Sequence, residues 1–433
     1  MSRRPLTRLL RSGGNFFLKS FDRTDRIFRV FRNLPRGIRD AIIDGYVGHV
    51  KTAEEGPAVP ERMTIFLTNQ CNMKCAHCFI VKEHQPRLQE LTLDHYRKMF
   101  ASVCGHVSQV LFTGGEPTLR KDFADVVVAA SLQGRIPTAS LLSNALNGEQ
   151  LAGLMEDIIS RCDISINFQT SIDGTKDFHD ANRRVKGAFA NVQDSIERIQ
   201  ALARRHPNRF GRIVATAAIS RQNLDSLEEI CDMLAATDVS PAFTFIRTSD
   251  DVFNIADKGM LSDFAPEEFK ADGTPKFRNE DYLSVEDMDR ALEIIDRKFW
   301  QNDPARLSFN YNRVTLETIR DCCATKTSSL SSECRMGYDD LIVLPDGLVS
   351  RCEMLAAPVN LGDFDFDIAR LVGSQQWQGY LGATSGCWCT HDCGIGVSIM
   401  KEPRLLKRLV YRGANRLPAQ GDGERSASDF LKA

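Results

Sequence analysis

Three cysteines stand within eight residues in the segment Cys71-Asn-Met-Lys-Cys75-Ala-His-Cys78. Thiolates at this spacing can converge on one metal centre. Zinc sites usually take four ligands in paired CxxC units, and no fourth cysteine lies nearby. Three thiolates suit a [4Fe–4S] cluster with one iron left open, which can then bind a further ligand. A zinc or ferredoxin-like site without catalysis is the alternative interpretation.

A second group of cysteines stands near the other end of the chain. Its members are Cys334, Cys352, Cys387, Cys389 and Cys393. Pro345-Asp346-Gly347 is a typical hairpin turn, so it predicts that Cys334 and Cys352 end near each other. Five thiols suffice for one auxiliary [4Fe–4S] cluster, on Cys334, Cys352 and two of the last three. Two clusters with a non-cysteine ligand, or a structural zinc site, are the alternatives.

Glycines and polar residues stand where the predicted strands end. Gly114-Gly115-Glu116 combines glycines that permit close backbone approach with a carboxylate that can accept hydrogen bonds from an ammonium group. The other residues at strand ends are Asn144, Ser171, Asp173, Ser220 and Arg247. We predict Asp173 and Arg247 at the substrate side. A buried arginine needs an anionic partner, which is either a substrate carboxylate or Asp173 itself.

The CxxxCxxC loop after the first predicted strand, with Gly-Gly-Glu-Pro after the second, resembles the radical SAM superfamily. The resemblance implies that Cys71, Cys75 and Cys78 hold a [4Fe–4S] cluster. It also implies that S-adenosylmethionine binds the open iron. One electron then cleaves the sulfonium to a 5′-deoxyadenosyl radical, which abstracts a hydrogen atom from the substrate.

The same resemblance implies which residues contact S-adenosylmethionine. They are His77, Gly114, Gly115, Glu116, Asn144, Ser171, Arg183 and Ser220. His77 takes the position of an aromatic residue near the adenine. Arg183 belongs to a run similar to S-x-D-G…H-D-x-x-R and takes the position of a residue that binds the carboxylate of S-adenosylmethionine. A hydrogen-bond network at the start of a helix is the alternative role for His179 and Arg183.

The second cysteine group resembles the SPASM/twitch extension of radical SAM enzymes. Cys334-x12-Gly347-x4-Cys352 fits its opening pattern. Of the later pattern only Cys389-x3-Cys393 matches, with Cys387 upstream. The resemblance implies an auxiliary cluster that transfers electrons.

Alternating elements must position these residues. Apolar, β-branched runs at 64–68, 107–112, 138–142, 164–170, 213–219 and 243–246 predict strands. Helices are predicted at 92–103, 123–132, 148–159, 188–204, 224–235 and 285–300. Parallel βαβ units with right-handed crossovers predict an α/β fold, a partial (β/α)6 barrel with its functional residues at the carboxyl ends of the strands.

Composition changes along the chain predict four segments. These are a basic N-terminal helical segment at 1–60, the barrel at 61–300, a SPASM/twitch-like domain at 305–400 and a flexible basic tail at 401–433. The arginine-rich first segment either lies on an anionic membrane surface or packs on the main domain. We favour packing, because its apolar spacing is irregular.

Overall composition narrows the class of protein. The net charge of −2 gives no reason to expect a nucleic-acid partner. An odd total of 13 cysteines, without a secretory signal, argues against a disulfide framework and predicts a cytoplasmic protein. No stretch reaches the roughly 18–20 apolar residues that span a bilayer.

Three functions remain open on this basis. The first is a peptide-modifying radical SAM oxidoreductase. The second is a dehydrogenase or epimerase of a sugar, nucleotide or other small molecule. The third is a non-catalytic iron–sulfur or zinc scaffold. Either enzyme needs a reducing electron donor such as flavodoxin or ferredoxin. The sequence leaves the substrate unidentified.

Overall fold

A computed structural model describes most of the 433-residue chain. The described residues are 31, 34–52, 59–78, 89–246, 282–300, 307–325, 327–328, 330, 334–353, 355, 357–383, 391–399 and 401–410. All structural statements concern these residues.

Six parallel strands form the main sheet, and consecutive strands are neighbours in it. They are β1 (Arg62–Phe66), β2 (Gln109–Thr113), β3 (Thr138–Leu142), β4 (Ser165–Ser171), β5 (Phe210–Ile219) and β6 (Ser240–Phe245). Each pairs in parallel with the next, as βαβ units require. The predicted α/β class is therefore confirmed, with β6 at one edge of the described sheet.

Helices connect these strands. They are α2 (Leu93–Ser102), α3 (Phe123–Leu132), α4 (Gly148–Arg161), α5 (Lys176–Arg183), α6 (Ala188–Arg205), α7 (Arg221–Leu224) and α8 (Leu227–Ala235), preceded in the chain by α1 (Arg36–Thr52). Caps begin several of them, as where the Asn147 side chain accepts a hydrogen bond from the backbone N–H of Gln150 in α4. Their apolar faces cover the sheet and bury Tyr96, Phe100, Phe112 and Phe168 almost completely.

Three further strands extend this sheet beyond β1. They are β7 (Asp340–Val343), β8 (Leu348–Ser350) and β9 (Val359–Asn360). β7 pairs in parallel with β1, and β8 and β9 continue as antiparallel neighbours. The predicted hairpin turn joins β7 to β8, with Gly347 at a φ of +86° that favours glycine. The second cysteine region is thus built onto the same sheet as the first.

The remaining helices follow β6 in the chain. They are α9 (Val285–Ile295), α10 (Leu307–Thr325), α11 (Ile368–Val372), α12 (Gln375–Ala383), α13 (Asp392–Ile399) and α14 (Pro403–Val410). A π-helical turn, Asp296–Trp300, follows α9. Leu405, Leu406 and Leu409 of α14 are buried, so residues 401–410 are packed, unlike the flexible tail that we expected there. Residues 411–433 lie outside the described residues.

Part of the basic N-terminal segment can also be placed. In α1, Ile43 is buried in the main core, and Asp44 forms an ion pair of 3.2 Å with Lys407 of α14. This agrees with the packed interpretation for α1, while residues 1–30 lie outside the described part. None of the described helices is both long enough and apolar enough to cross a membrane.

Candidate functional site

The three cysteines of the first group lie in the loop that follows β1. Cys71, Cys75 and Cys78 all pack in one small apolar cluster with Met73 and Ala188. Cys75 is the most buried of the three, with 6% of its surface exposed. The loop therefore gathers the three thiols at the carboxyl edge of the sheet, as predicted.

Arg120 holds the two ends of this loop together. Its guanidinium donates to the backbone carbonyls of Leu67, 3.1 Å away, and Leu91, 3.0 Å away. It also pairs with Glu90 at 3.3 Å and Asp122 at 2.9 Å. A charged fork with several acceptors has little freedom to move, so Arg120 fixes where the loop leaves and rejoins the fold.

The two glycines after β2 run directly against the base of the cysteine loop. The backbone N–H of Gly115 donates to the carbonyl of Thr68 at 2.7 Å. A β-carbon on Gly115 would lie 2.1 Å from the carbonyl oxygen of Gln70, and one on Gly114 would lie 2.4 Å from that of Thr68. Only residues without a β-carbon permit this approach.

The Glu116 carboxylate joins the ends of β2 and β3. Its oxygens accept hydrogen bonds from Thr118 Oγ1 at 2.6 Å, Ser143 Oγ at 2.9 Å and the Asn144 N–H at 2.7 Å. The Thr118 N–H adds a fourth bond at 3.2 Å. Burial raises the pKa of the Glu116 carboxyl, and these hydrogen bonds oppose that shift. The carboxylate thus positions the neighbouring loop through protein donors.

Asn144 and His77 both belong to the surroundings of the three thiols. Asn144 Nδ2 donates to Asn72 Oδ1 at 2.7 Å and lies 3.9 Å from Cys71 Sγ. The Asn182 amide nitrogen donates to Nδ1 of His77 at 3.0 Å, which fixes the orientation of this ring. His77 directly precedes Cys78 in the sequence. Asn144 was predicted from its strand-end position, whereas Asn182 was not.

A buried ion pair connects the end of β4 with the first cysteine group. Arg183 Nε and Nη2 donate to the two carboxylate oxygens of Asp173 at 2.7 and 2.8 Å. Arg183 Nη1 also faces Cys75 Sγ at 3.7 Å. Burial raises the pKa of Asp173, but the Arg183 charge, its hydrogen bonds and the nearby His77 and His179 together outweigh burial and hold that pKa well below its usual range. The pair therefore stays charged next to the Cys75 thiol.

His179 completes this network as a neutral imidazole. Its Nδ1 accepts a hydrogen bond from the Asp173 N–H at 3.2 Å, which leaves the ring proton on Nε2. Burial lowers the pKa of His179 to about 4, although the Asp173 charge opposes that shift. The ring also packs edge-on against Phe189. The hydrogen-bond network that was the alternative role for His179 and Arg183 is thus present, with Asp173 at its centre.

The remaining strand-end residues occupy different environments. Ser171 is half-buried at the end of β4. Ser220 is buried and begins α7, where its N–H donates to Asn223 Oδ1 at 2.8 Å. Asn223 in turn donates to the Asp173 carbonyl at 2.7 Å, which ties the ends of β4 and β5 together. The predicted Arg247 lies outside the described residues.

The second cysteine group is partly described. Cys334 precedes β7, Cys352 follows β8 and Cys393 lies in α13, whereas Cys387 and Cys389 lie outside the described residues. Arg351, the residue before Cys352, donates from Nη2 to the Cys334 carbonyl at 2.9 Å. The Arg351 side chain thus links the segments that carry Cys334 and Cys352, and their approach across the hairpin stays a prediction.

Two residues of these sites were missed in the sequence. Asn182 directly precedes Arg183, so its place in the His-Asp-Ala-Asn-Arg run was the available signal. His391 lies between Cys389 and Cys393, where a histidine has the spacing of a metal ligand. In the structure His391 is 1% exposed and its Nδ1 lies 3.9 Å from Cys352 Sγ.

Comparison with protein families accounts for the first of these sites. Residues 65–234, from β1 to α8, match the family model of the Radical SAM superfamily. Residues 65–234 form a radical SAM domain. Proteins of this family bind a [4Fe–4S] cluster and S-adenosylmethionine and use them for radical chemistry. The cysteine loop of this radical SAM domain supplies the three thiols that such a cluster needs.

Curated relatives resemble the chain over this domain. The sporulation killing factor maturation protein SkfB of Bacillus subtilis is 27% identical over 180 residues, or 41% of this chain and 40% of that protein. The Fe-coproporphyrin III synthase of Methanosarcina barkeri is 27% identical over 169 residues, or 39% of each. The chain thus matches about two fifths of the length of these relatives.

Solved structures resemble a larger part of the chain. SuiB of Streptococcus suis, crystallised with its precursor peptide SuiA, superposes with a TM-score of 0.51 over 78% of this chain and 70% of SuiB. The sequences are 13% identical, so the likeness concerns the fold alone. That fold includes the radical SAM domain and continues beyond it.

Proposed function

We propose that this protein is a radical SAM enzyme that abstracts a hydrogen atom from a peptide substrate, and that its second cysteine group holds an auxiliary iron–sulfur cluster. The observation that carries the proposal is the placement of Cys75 among three clustered thiols, with the Arg183 guanidinium 3.7 Å from its sulfur. A fixed positive charge stabilises the thiolate form, and thiolates are the ligands of iron–sulfur clusters.

The residues at this edge of the sheet fit the proposed cofactors. Cys71, Cys75 and Cys78 would hold the cluster. Gly114 and Gly115 bring the end of β2 within backbone hydrogen-bonding distance of the loop, which leaves no side chain over it. Bound to the open iron, S-adenosylmethionine would supply the 5′-deoxyadenosyl radical.

The polar residues around the loop divide into two proposed roles. Glu116, Asp173 and Ser220 are at most 1% exposed and bound to protein groups, so we assign them to positioning. His77, Asn144 and Ser171 are only partly buried and are the proposed side-chain contacts of S-adenosylmethionine. For Arg183 we propose a positioning role through its contacts with Cys75 and Asp173, in preference to a direct contact with the cofactor.

A peptide substrate is supported by the relatives. SkfB is named as a maturation protein, and SuiB was crystallised with a precursor peptide. The Fe-coproporphyrin III synthase, equally identical to this chain, supports a small-molecule substrate as the second candidate. The gene neighbourhood discriminates them: a short precursor gene beside this one favours the peptide.

The first test is the cleavage of S-adenosylmethionine. Anaerobically reconstituted protein, given dithionite and S-adenosylmethionine, should release 5′-deoxyadenosine without substrate. The C75A variant should release none, because the cluster loses one of three ligands. C104A is the matched control, since Cys104 lies outside both cysteine groups, and it should retain the activity. No nucleoside from the parent protein would leave the scaffold alternative standing.

The second test concerns the substrate. A candidate precursor peptide, uniformly deuterated, should pass deuterium into 5′-deoxyadenosine during turnover. Deuterium that appears only with a deuterated small molecule, and never with the peptide, would move the proposal to the second candidate. Iron analysis accompanies both tests, because about eight irons per chain correspond to one auxiliary cluster and about twelve to two.

A further inference from the structure

We propose that His391 is a ligand, through Nδ1, of the metal centre that Cys334, Cys352 and Cys393 form. The inference deepens the proposed function, because it rests on a second metal centre in this region. The sequence predicted two ligands from Cys387, Cys389 and Cys393. We instead assign Cys393 and the His391 imidazole to these two positions.

Distances place His391 among the described thiols. Its Nδ1 lies 3.9 Å from Cys352 Sγ. The ligand atoms of His391, Asp392 and Cys393 all lie within 4.8 Å of one another. A metal bound between a ring nitrogen and a sulfur bridges separations of this size, since metal–nitrogen and metal–sulfur bonds are about 2.0 and 2.3 Å long.

Cys334, in the segment before β7, borders the same space beside Gly394. A β-carbon at Gly394 would lie 3.4 Å from Cys334 Sγ and 3.6 Å from His391 Nδ1. Both ligand atoms therefore border the position that Gly394 leaves without a side chain. Cysteines from the segments before β7, after β8 and at the start of α13 thus border the space around His391.

The other ring nitrogen of His391 has the partner that metal-bound histidines usually have. His391 Nε2 lies 2.6 Å from Glu353 Oε1, and the two side chains are 1% and 8% exposed. A carboxylate on one ring nitrogen fixes the tautomer and aims the lone pair of the other nitrogen at the metal. Since Glu353 directly follows Cys352, one turn of chain supplies a ligand and the group that orients another.

Asp392 is the competing ligand in this group. One of its carboxylate oxygens, Oδ1, already accepts a hydrogen bond from the Cys393 N–H at 3.0 Å. Asp392 is also less buried than His391. We therefore assign the imidazole, which suits both iron and zinc, as the fourth ligand.

Histidine in place of cysteine changes an iron–sulfur cluster measurably. Exchange of thiolate for neutral imidazole removes negative charge, and histidine-ligated clusters have higher reduction potentials than cysteine-ligated ones. We expect H391C to lower the reduction potential of the auxiliary cluster. E353Q should keep the centre but weaken metal retention about 10-fold or more, because the orienting carboxylate is lost.

The decisive experiment isolates the second centre in full-length protein. The C71A/C75A/C78A variant removes the first cluster, and pulsed electron paramagnetic resonance of the reduced protein should then show nitrogen coupling to the iron. ¹⁵N-histidine labelling should change this coupling. Adding H391C to the same background should abolish it, while H106Q, a change at an exposed histidine, should leave it intact.

The alternative ligand sets give different results. Coupling that persists in H391C would overturn the assignment, as would a centre that survives H391A at full metal content but is lost in C387A or C389A. Loss of the centre in D392N but not in H391A would move the ligand to Asp392. Far-ultraviolet circular dichroism of each variant shows whether the fold persists.

Failure of the proposed function is distinguishable from failure of this inference. If the second centre holds zinc and no iron, the auxiliary iron–sulfur cluster is refuted. X-ray absorption at the zinc edge then tests the same ligand. One nitrogen scatterer that disappears in H391C supports the assignment, and an all-sulfur shell refutes it.

Discussion

At the residue scale, the Arg183 guanidinium joins the Cys75 thiol to a fully buried carboxylate. Its fork geometry serves both at once, with two donors on Asp173 and a third facing Cys75. Lysine could not do so, because a point charge lacks the planar fork. A buried pair of this kind contributes orientation more than stability, since both charges lose their hydration.

Removal of one partner should therefore be costly. We expect R183Q to lower the free energy of unfolding by about 3–5 kcal/mol, because the Asp173 charge is left buried and unpaired. The D173N/R183Q double variant should regain part of this loss. Urea unfolding of anaerobic protein, followed by tryptophan fluorescence, measures both.

The exposed pair of Arg205 and Glu156 provides the matched control. R205Q should change the free energy of unfolding by less than about 1 kcal/mol, because solvent screens that pair. An equal cost for R183Q and R205Q would show that the buried pair has no special importance.

His179 predicts a pH dependence of stability. Its pKa is about 4 in the folded protein and 6.5 for the free side chain, so only the unfolded state binds a proton between these values. Stability from His179 is complete above pH 6.5 and decreases as the pH falls towards 4. From pH 7.5 to 5.0, the native protein should lose about 2 kcal/mol more than H179Q. Urea unfolding at both values measures this, and parallel losses would contradict it.

Sequence alone predicted many of these residues but fewer of their partners. The S-x-D-G and H-D-x-x-R runs identified Asp173, His179 and Arg183, yet the bidentate contact depends on how the loop after β4 meets α5. The spacing of residues in the sequence does not specify the angle at which this loop meets α5. The same holds for His391, whose Glu353 partner stands 38 residues earlier.

At the scale of elements, strand ends determine the first site. The loops after β1, β2, β3 and β4 meet at one edge because the strands are parallel and neighbouring. Local hydrophobic periodicity was enough to predict these strands and most helices within a few residues. Arg120 and Glu116 then fix the loops relative to one another through partly buried hydrogen bonds.

The close contact between two of these loops can be tested with one methyl group. G115A would place a β-carbon 2.1 Å from the Gln70 carbonyl, so the cysteine loop must move. We expect reconstituted G115A to lose about four irons per chain, the content of one cubane cluster. Iron analysis and the absorbance of the cluster measure this.

Gly153 in α4 provides the control, because a β-carbon there meets nothing within 4 Å. G153A should keep all iron and be slightly more stable, since alanine favours a helix over glycine by up to about 1 kcal/mol. Full iron retention in G115A would mean that the loop tolerates displacement.

At the scale of the whole molecule, one sheet carries both cysteine regions. β7 lies beside β1, and the buried Asp340 receives a hydrogen bond from Thr64 at 3.2 Å and pairs with Arg62 at 3.5 Å. Sequence patterns predicted a separate small domain after the barrel, but they did not predict the pairing of β7 with β1. Nothing local in 340–343 specifies which distant strand it will join.

The Asp340 contacts predict how strongly the two regions are joined. D340A should lower the free energy of unfolding by about 3 kcal/mol, because Arg62 loses its buried partner. Limited proteolysis should then cut more readily before β7. D365A, which removes the exposed partner of Lys98, should cost less than about 1 kcal/mol. Equal effects of the two changes would show that Asp340 does not join the regions.

The pairing of β1 with β7 also has a consequence for synthesis on the ribosome. Residues 62–66 emerge early, but the strand that covers their outer side ends only at Val343. At a synthesis rate of about 5–20 residues per second, β1 remains an edge strand without its β7 neighbour for roughly 10–60 s. Such edges recruit strands from other chains, so nascent protein is exposed to aggregation during this interval. Slower translation or a missing C-terminal third should send the protein into inclusion bodies, even though every strand of the radical SAM domain has already been made.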